Sequence, residues 1–303
     1  MWYQLFHQNM RNYSGGAGDK SFRLDYQFKQ ICGRNNDFMC AGFTELRNAS
    51  DAMVKQVLYL GQCLHPKMDS ANVIPAGISG GSITEYVGAA WDSTRFKVEA
   101  VGYFAYRFVD RQYICYATKN VKLQDYGYPS AEILADYRSP IFLYGKCNGT
   151  SILVMFMHNM YKMGDRSAAF NSINEAIAGV RAYVKMQGWA DIAAIYVGGD
   201  FNLPPEVPKH NTELKAIAPL KAGVTDKDDK YEHTTNANCY DWWLTSDAKL
   251  TELNAQVWGQ TREPIAADKN MYTSGSATAA KAPSEGVSDH AGISLILNHM
   301  KSI

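Results

Sequence analysis

Residues 192–205 carry an apolar run, Ile192-Ala193-Ala194-Ile195-Tyr196-Val197, that ends in Gly198 and Gly199. A carboxylate and an amide follow at alternate positions, Asp200 and Asn202, and Pro204 and Pro205 stop any continuation. The pattern predicts a buried strand delivering both polar residues to its C-terminal edge, where ligand sites are often built. Side chains two positions apart on a strand share a face, so both can act on the same ligand. A competing reading makes them turn residues at a strand-to-turn junction. The rest of the chain decides between the two.

Residues 2–10 predict a first strand, followed by a glycine-rich loop. Residues 21–34 have helical spacing through Phe22, Tyr26, Phe28 and Ile31, with Gly33 as a stop. Residues 37–43 predict a second strand, and residues 50–64 an amphipathic helix with Ser50 as N-cap. Residues 75–88 are glycine-rich and read as a loop. Residues 96–106 and 111–119 read as strands of a β-meander, and residues 122–138 as irregular. Two more strands, 141–144 and 151–158, are joined by an Asn148-Gly149 hairpin signal.

Residues 168–187 predict a helix with Phe170, Ile173, Ala176, Ile177, Val180 and Val184 on one stripe. Residues 239–245 form a short aromatic strand, and residues 266–287, rich in Ala, Ser, Gly and Lys, a surface loop. Asp289 and His290 lead straight into a closing strand. No repeat and no linker divides the sequence. Residues 1–303 are therefore expected to form one α+β sandwich domain.

Thirty basic and thirty acidic residues cancel, so the bulk field gives no hint of a polyanionic partner, which would need a local basic patch. No apolar run approaches the roughly 18 residues of a membrane span. The chain opens without a basic n-region, an apolar h-region or a cleavage site. The expectation is a chain that stays in the cytoplasm, or one exported or delivered with its leader removed. Six cysteines are widely spaced with no C-x-x-C pair, which argues against a zinc site and favours buried free thiols.

Polar groups recur where apolar runs stop: Asn9, Glu45, His158, Asp200 with Asn202, Asp241, and Asp289 with His290. Each alone has a structural reading as a cap, a turn residue or a satisfied core histidine. Together they hold oxygen ligands of the kind a hard cation prefers and no thiolate. Two histidines and a carboxylate remain for proton transfer and for stabilising charge in a transition state. This inventory suits metal-assisted phosphoester hydrolysis. A serine hydrolase is excluded because no Gly-x-Ser-x-Gly elbow precedes a helix.

In order and spacing, Asn9, Glu45, His158, Gly199-Asp200-Phe201-Asn202, Tyr240-Asp241 and Ser288-Asp289-His290 resemble the DNase I-like endonuclease/exonuclease/phosphatase superfamily. The likeness spans essentially the whole chain. Within that superfamily, Trp91-Asp92-Ser93-Thr94-Arg95, the segment 108–111 and Arg138-Ser139-Pro140 resemble the catalytic subunit of cytolethal distending toxin.

The resemblance implies a four-layer α/β/β/α sandwich, two packed mixed β-sheets flanked by helices. It implies Mg²⁺, with Mn²⁺ or Ca²⁺ as substitutes, held by Glu45 and Asn9 with Asp289 beside it. Asp200 would position or deprotonate the attacking water and Asn202 would orient it. His158 and His290 would flank the scissile phosphate, and Asp241 would hold the tautomer of His290. Arg111 and Lys146, with Arg95 and Arg47 behind them, are the expected phosphate binders.

DNA is the implied substrate, cut with little sequence preference because phosphate contacts carry affinity and no sequence information. The toxin likeness adds delivery or accessory subunits as partners. A phosphoinositide or other phospholipid headgroup is the alternative substrate, and a non-catalytic interaction module the third reading. One departure stands out. The toxin's Gly-Asp-Phe-Asn-Arg is Gly-Asp-Phe-Asn-Leu203 here, so one cation is missing.

Overall fold

The structure is a computed structural model. It describes residues 3–15, 19–33, 37–79, 82–107, 112–118, 138–159, 163–206, 213–221, 230–235, 238–258, 288 and 290–297. Two β-sheets face each other. The first is six-stranded, in the order β12 (Ala255–Trp258), β13 (Gly292–Leu297), β1 (Tyr3–Tyr13), β2 (Phe38–Leu46), β4 (Ser82–Trp91) and β3 (Ser70–Ser79). The second is seven-stranded: β10 (Lys215–Ile217), β11 (Asp241–Thr245), β9 (Ala194–Asp200), β8 (Thr150–His158), β7 (Ile141–Cys147), β5 (Phe96–Arg107) and β6 (Gln112–Thr118). Both are mixed: β1 runs parallel to β2, and β8 parallel to β9, among antiparallel neighbours.

Three apolar clusters account for four layers. Leu5, Val87, Val154, Phe156, Tyr196 and Trp243 meet between the sheets. Helices α1 (Asp19–Cys32) and α2 (Asp51–Leu64) cover the outer face of the six-stranded sheet through Phe28, Met53 and Val57. Helix α3 (Met163–Met186) covers the other sheet, and the predicted stripe from Phe170 to Val184 is buried there. At about 1.5–3 kcal/mol for each large apolar side chain removed from water, that stripe fixes α3 in place. The expected α/β/β/α sandwich is what forms. Ser50 caps α2 as predicted, its hydroxyl accepting from Met53 N–H at 3.2 Å. Cys32, Cys40, Cys63, Cys147 and Cys239 are free thiols. Among the described residues no helix is long and apolar enough to cross a membrane.

Residues 75–79 and 82–88 depart from expectation: they belong to the paired strands β3 and β4 and not to a loop. The glycine at 88 reports a close approach. A Cβ there would come within 2.9 Å of Leu46 and 3.0 Å of Val57, where α2 seats on the sheet. Composition alone cannot separate that cause from a loop. Residues 122–137 and 266–287, expected to be irregular, lie outside the described residues.

Between the sheets a column of rings crosses the core. The ring of His7 stacks on Phe156 at 6.3 Å, and Phe156 meets Trp243 edge-on at 6.2 Å. Gly42 and Gly198 make room for it, since a Cβ on Gly42 would overlap the Phe156 ring and one on Gly198 the Trp243 ring. The second glycine of the Gly198-Gly199 pair, pressed against Met157, completes the tight end of β9.

Candidate active site

Strand alternation delivers the polar residues to one end of the inter-sheet space. On β8, Ile152, Val154 and Phe156 face inward, so His158 follows on the same face. On β9, Ala194 and Tyr196 face inward and Asp200 follows, and parallel pairing sets His158 directly beside Asp200. Antiparallel pairing of β11 with β9 then places Asp241 opposite Asp200. From the other sheet, Asn9 and Glu45 come from the C-terminal ends of β1 and β2, Glu85 from β4, and His290 from just before β13.

Two histidine–carboxylate pairs result. His158 Nδ1 lies 2.6 Å from Glu85 Oε1, and His290 Nδ1 lies 2.6 Å from Asp241 Oδ2. Both histidines turn Nε2 towards Asp200 Oδ2, each at 3.5 Å. A carboxylate on Nδ1 fixes the tautomer and leaves Nε2 for chemistry. Asp200 Oδ2 also accepts from Asn9 Nδ2 at 3.1 Å, and Oδ1 accepts from Asn202 N–H at 2.9 Å. Each competing reading of Asp200 is thus half right. One oxygen closes a turn and the other faces the cluster.

Asn202 sits in the left-handed region with φ 51°, its Nδ2 donating to Asn159 O at 2.9 Å. Glu45 is left-handed too, with φ 56°. Non-glycine residues persist in such conformations only where their surroundings hold them. For Glu45 the clamps are Asn9 Nδ2 on Oε1 and Asn12 N–H on Oε2, both at 3.1 Å.

Burial disfavours a charged His158, but the Glu85 carboxylate more than offsets it, and the pKa lies above the ordinary histidine value. Glu85 is likewise penalised by burial, yet the His158 charge and Arg138 hold its pKa below the usual carboxylate value. Arg138 Nη2 is 3.3 Å from Glu85 Oε2. Its Nη1 is 2.7 Å from His158 Nδ1 and 2.8 Å from Nε2. An atom equidistant from both ring nitrogens lies along neither lone pair, so this is a contact with the ring face and Nδ1 stays with Glu85. His7, fully buried one pleat behind Asn9, has its pKa pushed down to about 3 by burial and is neutral.

The ligand atoms of Asp200, Asp241 and His290 lie within 4.8 Å of one another. Asp241 Oδ2 and His290 Nδ1 are engaged in a 2.6 Å hydrogen bond, which leaves His290 Nε2, turned towards Asp200 Oδ2, for proton chemistry or coordination. Glu45 fits a hard cation. Its carboxylate is pre-oriented on both oxygens, and 21% of the side chain reaches solvent. Asn9 fits a supporting role instead of the ligand role expected of it. Its nitrogen faces two carboxylates, while its oxygen accepts from Arg11 N–H at 2.9 Å. Flipping the amide would set oxygen against both carboxylates.

The structure thus brings together Asn9, Glu45, His158, Asp200, Asp241 and His290. Asn202, past the end of β9 and not on a shared strand face, holds Asp200 through its backbone N–H and turns its amide to Asn159. Asp289 and Arg111 lie outside the described residues. Lys146 is elsewhere. It pairs with Ser151 at the hairpin end of β7–β8, seven residues along β8 from His158, or roughly 23 Å at strand rise. There it meets Glu99 at 3.8 Å, half-exposed. Arg95 is also at that far end, bound to Asp37 at 3.1 Å and beside Asp92 at 3.5 Å. Arg47 bonds Asn12 at the near end. Sequence reasoning missed Glu85, because its stretch was read as loop. The role of Arg138 was signalled only by the Arg-Ser-Pro likeness.

No protein-family model matches this sequence, and no curated protein matches it significantly. Solved structures do. The human nocturnin catalytic domain with bound sulfate superposes with TM-score 0.55 at 14% identity, covering 97% of this chain and 93% of that one. Truncated Caenorhabditis elegans TDP2 gives 0.52 at 14%, with 98% and 97% covered. An endonuclease/exonuclease/phosphatase family protein from Bacteroides thetaiotaomicron gives 0.51 at 16%, with 100% and 98% covered. At such identities the likeness is one of architecture: this chain has the fold of the DNase I-like endonuclease/exonuclease/phosphatase structures.

Proposed function

We propose that this protein is a divalent-metal-dependent phosphodiesterase that hydrolyses DNA as an endonuclease with little sequence preference. The observation that carries the reading is the convergence of two imidazole Nε2 atoms on Asp200 Oδ2, each imidazole backed by a buried carboxylate at 2.6 Å. Phosphodiester hydrolysis needs a group to take a proton from water, one to return a proton to the leaving oxygen, and positive charge around the phosphoryl oxygens. Asp200 and the two histidines supply the first two. Arg138, against the face of His158, supplies charge from within the cluster. Mg²⁺ held by Glu45 would add Lewis-acid stabilisation.

A phosphoinositide or other phospholipid headgroup is the second reading, and Leu203 favours it. That residue is 8% exposed and its carbonyl accepts from Trp242 Nε1, so the position expected to carry a cation for the DNA backbone packs into the core. The toxin reading, with delivery by accessory subunits, rests on the sequence likeness at Arg138, which lies against His158. The Trp91–Arg95 turn does not support it, lying at the far end of the sheets.

Nicking of supercoiled plasmid in Mg²⁺, abolished by EDTA, tests the proposal. Supercoiled DNA left intact, together with phosphate released from a phosphoinositide, would overturn it in favour of the second reading.

A further inference from the structure

The two oxygens of Asp241 have different surroundings. Oδ2 takes the His290 Nδ1 hydrogen bond at 2.6 Å. Oδ1 is buried and has no hydrogen-bond partner among the described residues. An orphaned carboxylate oxygen in a dry interior costs free energy, and it leaves the side chain free to rotate away from His290. The polar atom facing Oδ1 is His7 Nδ1, 3.7 Å away, which is also buried and also without a hydrogen bond among the described residues. His7 lies two residues before Asn9 on the inward face of β1, held by Phe156 on its ring face and by Thr44 Oγ1, 3.2 Å from Nε2.

A neutral imidazole has one N–H, and the surroundings choose where it sits. With the proton on Nδ1, the N–H faces Asp241 Oδ1 and Nε2 accepts from the Thr44 hydroxyl. With the proton on Nε2, a lone pair faces a carboxylate in the buried interior. The first arrangement satisfies every group and the second opposes two acceptors. We infer that His7 is a positioning residue, whose Nδ1–H engages Asp241 Oδ1 and holds Asp241 in the rotamer that presents Oδ2 to His290. At 3.7 Å the contact is a charge–dipole one, and a movement of under about 1 Å closes it to a hydrogen bond. The Thr44 hydroxyl, which can donate, satisfies the Nε2 lone pair that this tautomer leaves. The line Thr44–His7–Asp241–His290 therefore runs from β2 through β1 and across to β11, ending on the histidine beside Asp200.

The kinetic consequence rests on the phosphodiesterase reading; the structural one does not, so the test has two arms. Three variants separate the roles of the ring. His7→Asn keeps an N–H donor near the position of Nδ1, His7→Gln keeps a group near Nε2, and His7→Leu keeps volume alone.

In cleavage of a labelled DNA duplex with Mg²⁺, His7→Leu and His7→Gln should each lower kcat by about tenfold or more with KM unchanged. His7→Asn should stay within about threefold of the parent protein. In proton NMR of the protein alone, the downfield His290 Nδ1–H, assigned by its loss in His290→Gln, should move upfield in His7→Leu and His7→Gln and keep its position in His7→Asn. Equal rates for His7→Asn and His7→Gln, or a His290 resonance common to all variants, would overturn the inference. Should His7→Leu not fold, the Asn–Gln contrast decides it alone. An uncut duplex with the expected NMR pattern would refute the nuclease reading and leave His7 in its role.

Discussion

His158 and His290 come from different sheets, yet each places Nε2 3.5 Å from one atom, Asp200 Oδ2. Their carboxylate partners cross over in the opposite sense. His158, on the seven-stranded sheet, is held by Glu85 of the six-stranded sheet, and His290, leading into the six-stranded sheet, by Asp241 of the seven-stranded one. Each pair bridges the sandwich, so the spacing of the sheets sets the spacing of the chemistry. His158→Ala and Asp200→Ala should each cut the cleavage rate by about 10²- to 10⁴-fold while leaving the unfolding midpoint close to that of the parent protein. Steady-state rates on plasmid and duplex DNA, read beside a thermal melt, check this. Near-parental activity in either variant would remove the cluster from the reaction.

What the sequence made legible was the strand ends. An apolar run that stops at a carboxylate or a histidine is a local signal, and it located His158, Asp200, Asp241 and His290 without knowledge of their neighbours. What it hid was pairing across the sheets. Glu85 stands 73 residues before His158 in a glycine-rich stretch, and those glycines reflect helix packing on β4. Lys146 failed for the converse reason. It is near His158 in sequence, but the hairpin register carries it to the other end of the strand. Asn9 too follows an apolar run, and the structure sets it beside Glu45 and Asp200. Its role turned on which amide atom faces the carboxylates, and a hydrogen-bond network decides that.

Glu85 sets the pH range of His158. Burial alone would lower the histidine's pKa, but the neighbouring carboxylate lifts it above the ordinary value. The ring therefore keeps its proton at pH values where a free imidazole has lost it. Where protonated His158 donates to the phosphate, the rate is full below that pKa and falls as pH rises through it. In Glu85→Gln burial and Arg138, which lower the pKa, are left against the smaller raising influence of Asp200. The falling limb should move to lower pH, with a larger loss at about pH 8 than at about pH 6. A pH–rate profile checks this, and parallel profiles for the two proteins would count against it.

Asn9 should matter through the metal. Its nitrogen bonds Glu45 Oε1 and Asp200 Oδ2 at 3.1 Å each, so Asn9→Ala frees a carboxylate that is otherwise pre-oriented for a cation. The Mg²⁺ concentration giving half-maximal cleavage should rise by about 10- to 100-fold, with a smaller change at saturating Mg²⁺. Glu45→Gln removes the anion itself and should not be rescued by added Mg²⁺. Metal titrations of both variants after EDTA treatment make the comparison. An unchanged Mg²⁺ midpoint in Asn9→Ala would separate Asn9 from the metal site.

The ring column beneath the site carries a stability prediction of its own. Phe156 packs where the side chain of residue 42 would be, and Trp243 where that of residue 198 would be. Both rings are buried between two sheets, so neither can swing into solvent to admit a methyl group. Gly42→Ala and Gly198→Ala should therefore each destabilise by about 1–3 kcal/mol or more, the cost of overpacking a filled core. The alanine's reduced unfolded-state entropy, worth about 0.4–1 kcal/mol, is too small to offset it. In urea the midpoint should fall with the slope preserved, because the same surface is exposed on unfolding. The two variants should differ in activity, however. Phe156 stacks directly on His7, so Gly42→Ala disturbs the residue facing Asp241, whereas Gly198→Ala pushes first on Trp243. A larger loss of kcat in Gly42→Ala at temperatures where both proteins are folded is the expected result, and equal losses would mean the column supports the sheets without steering the site.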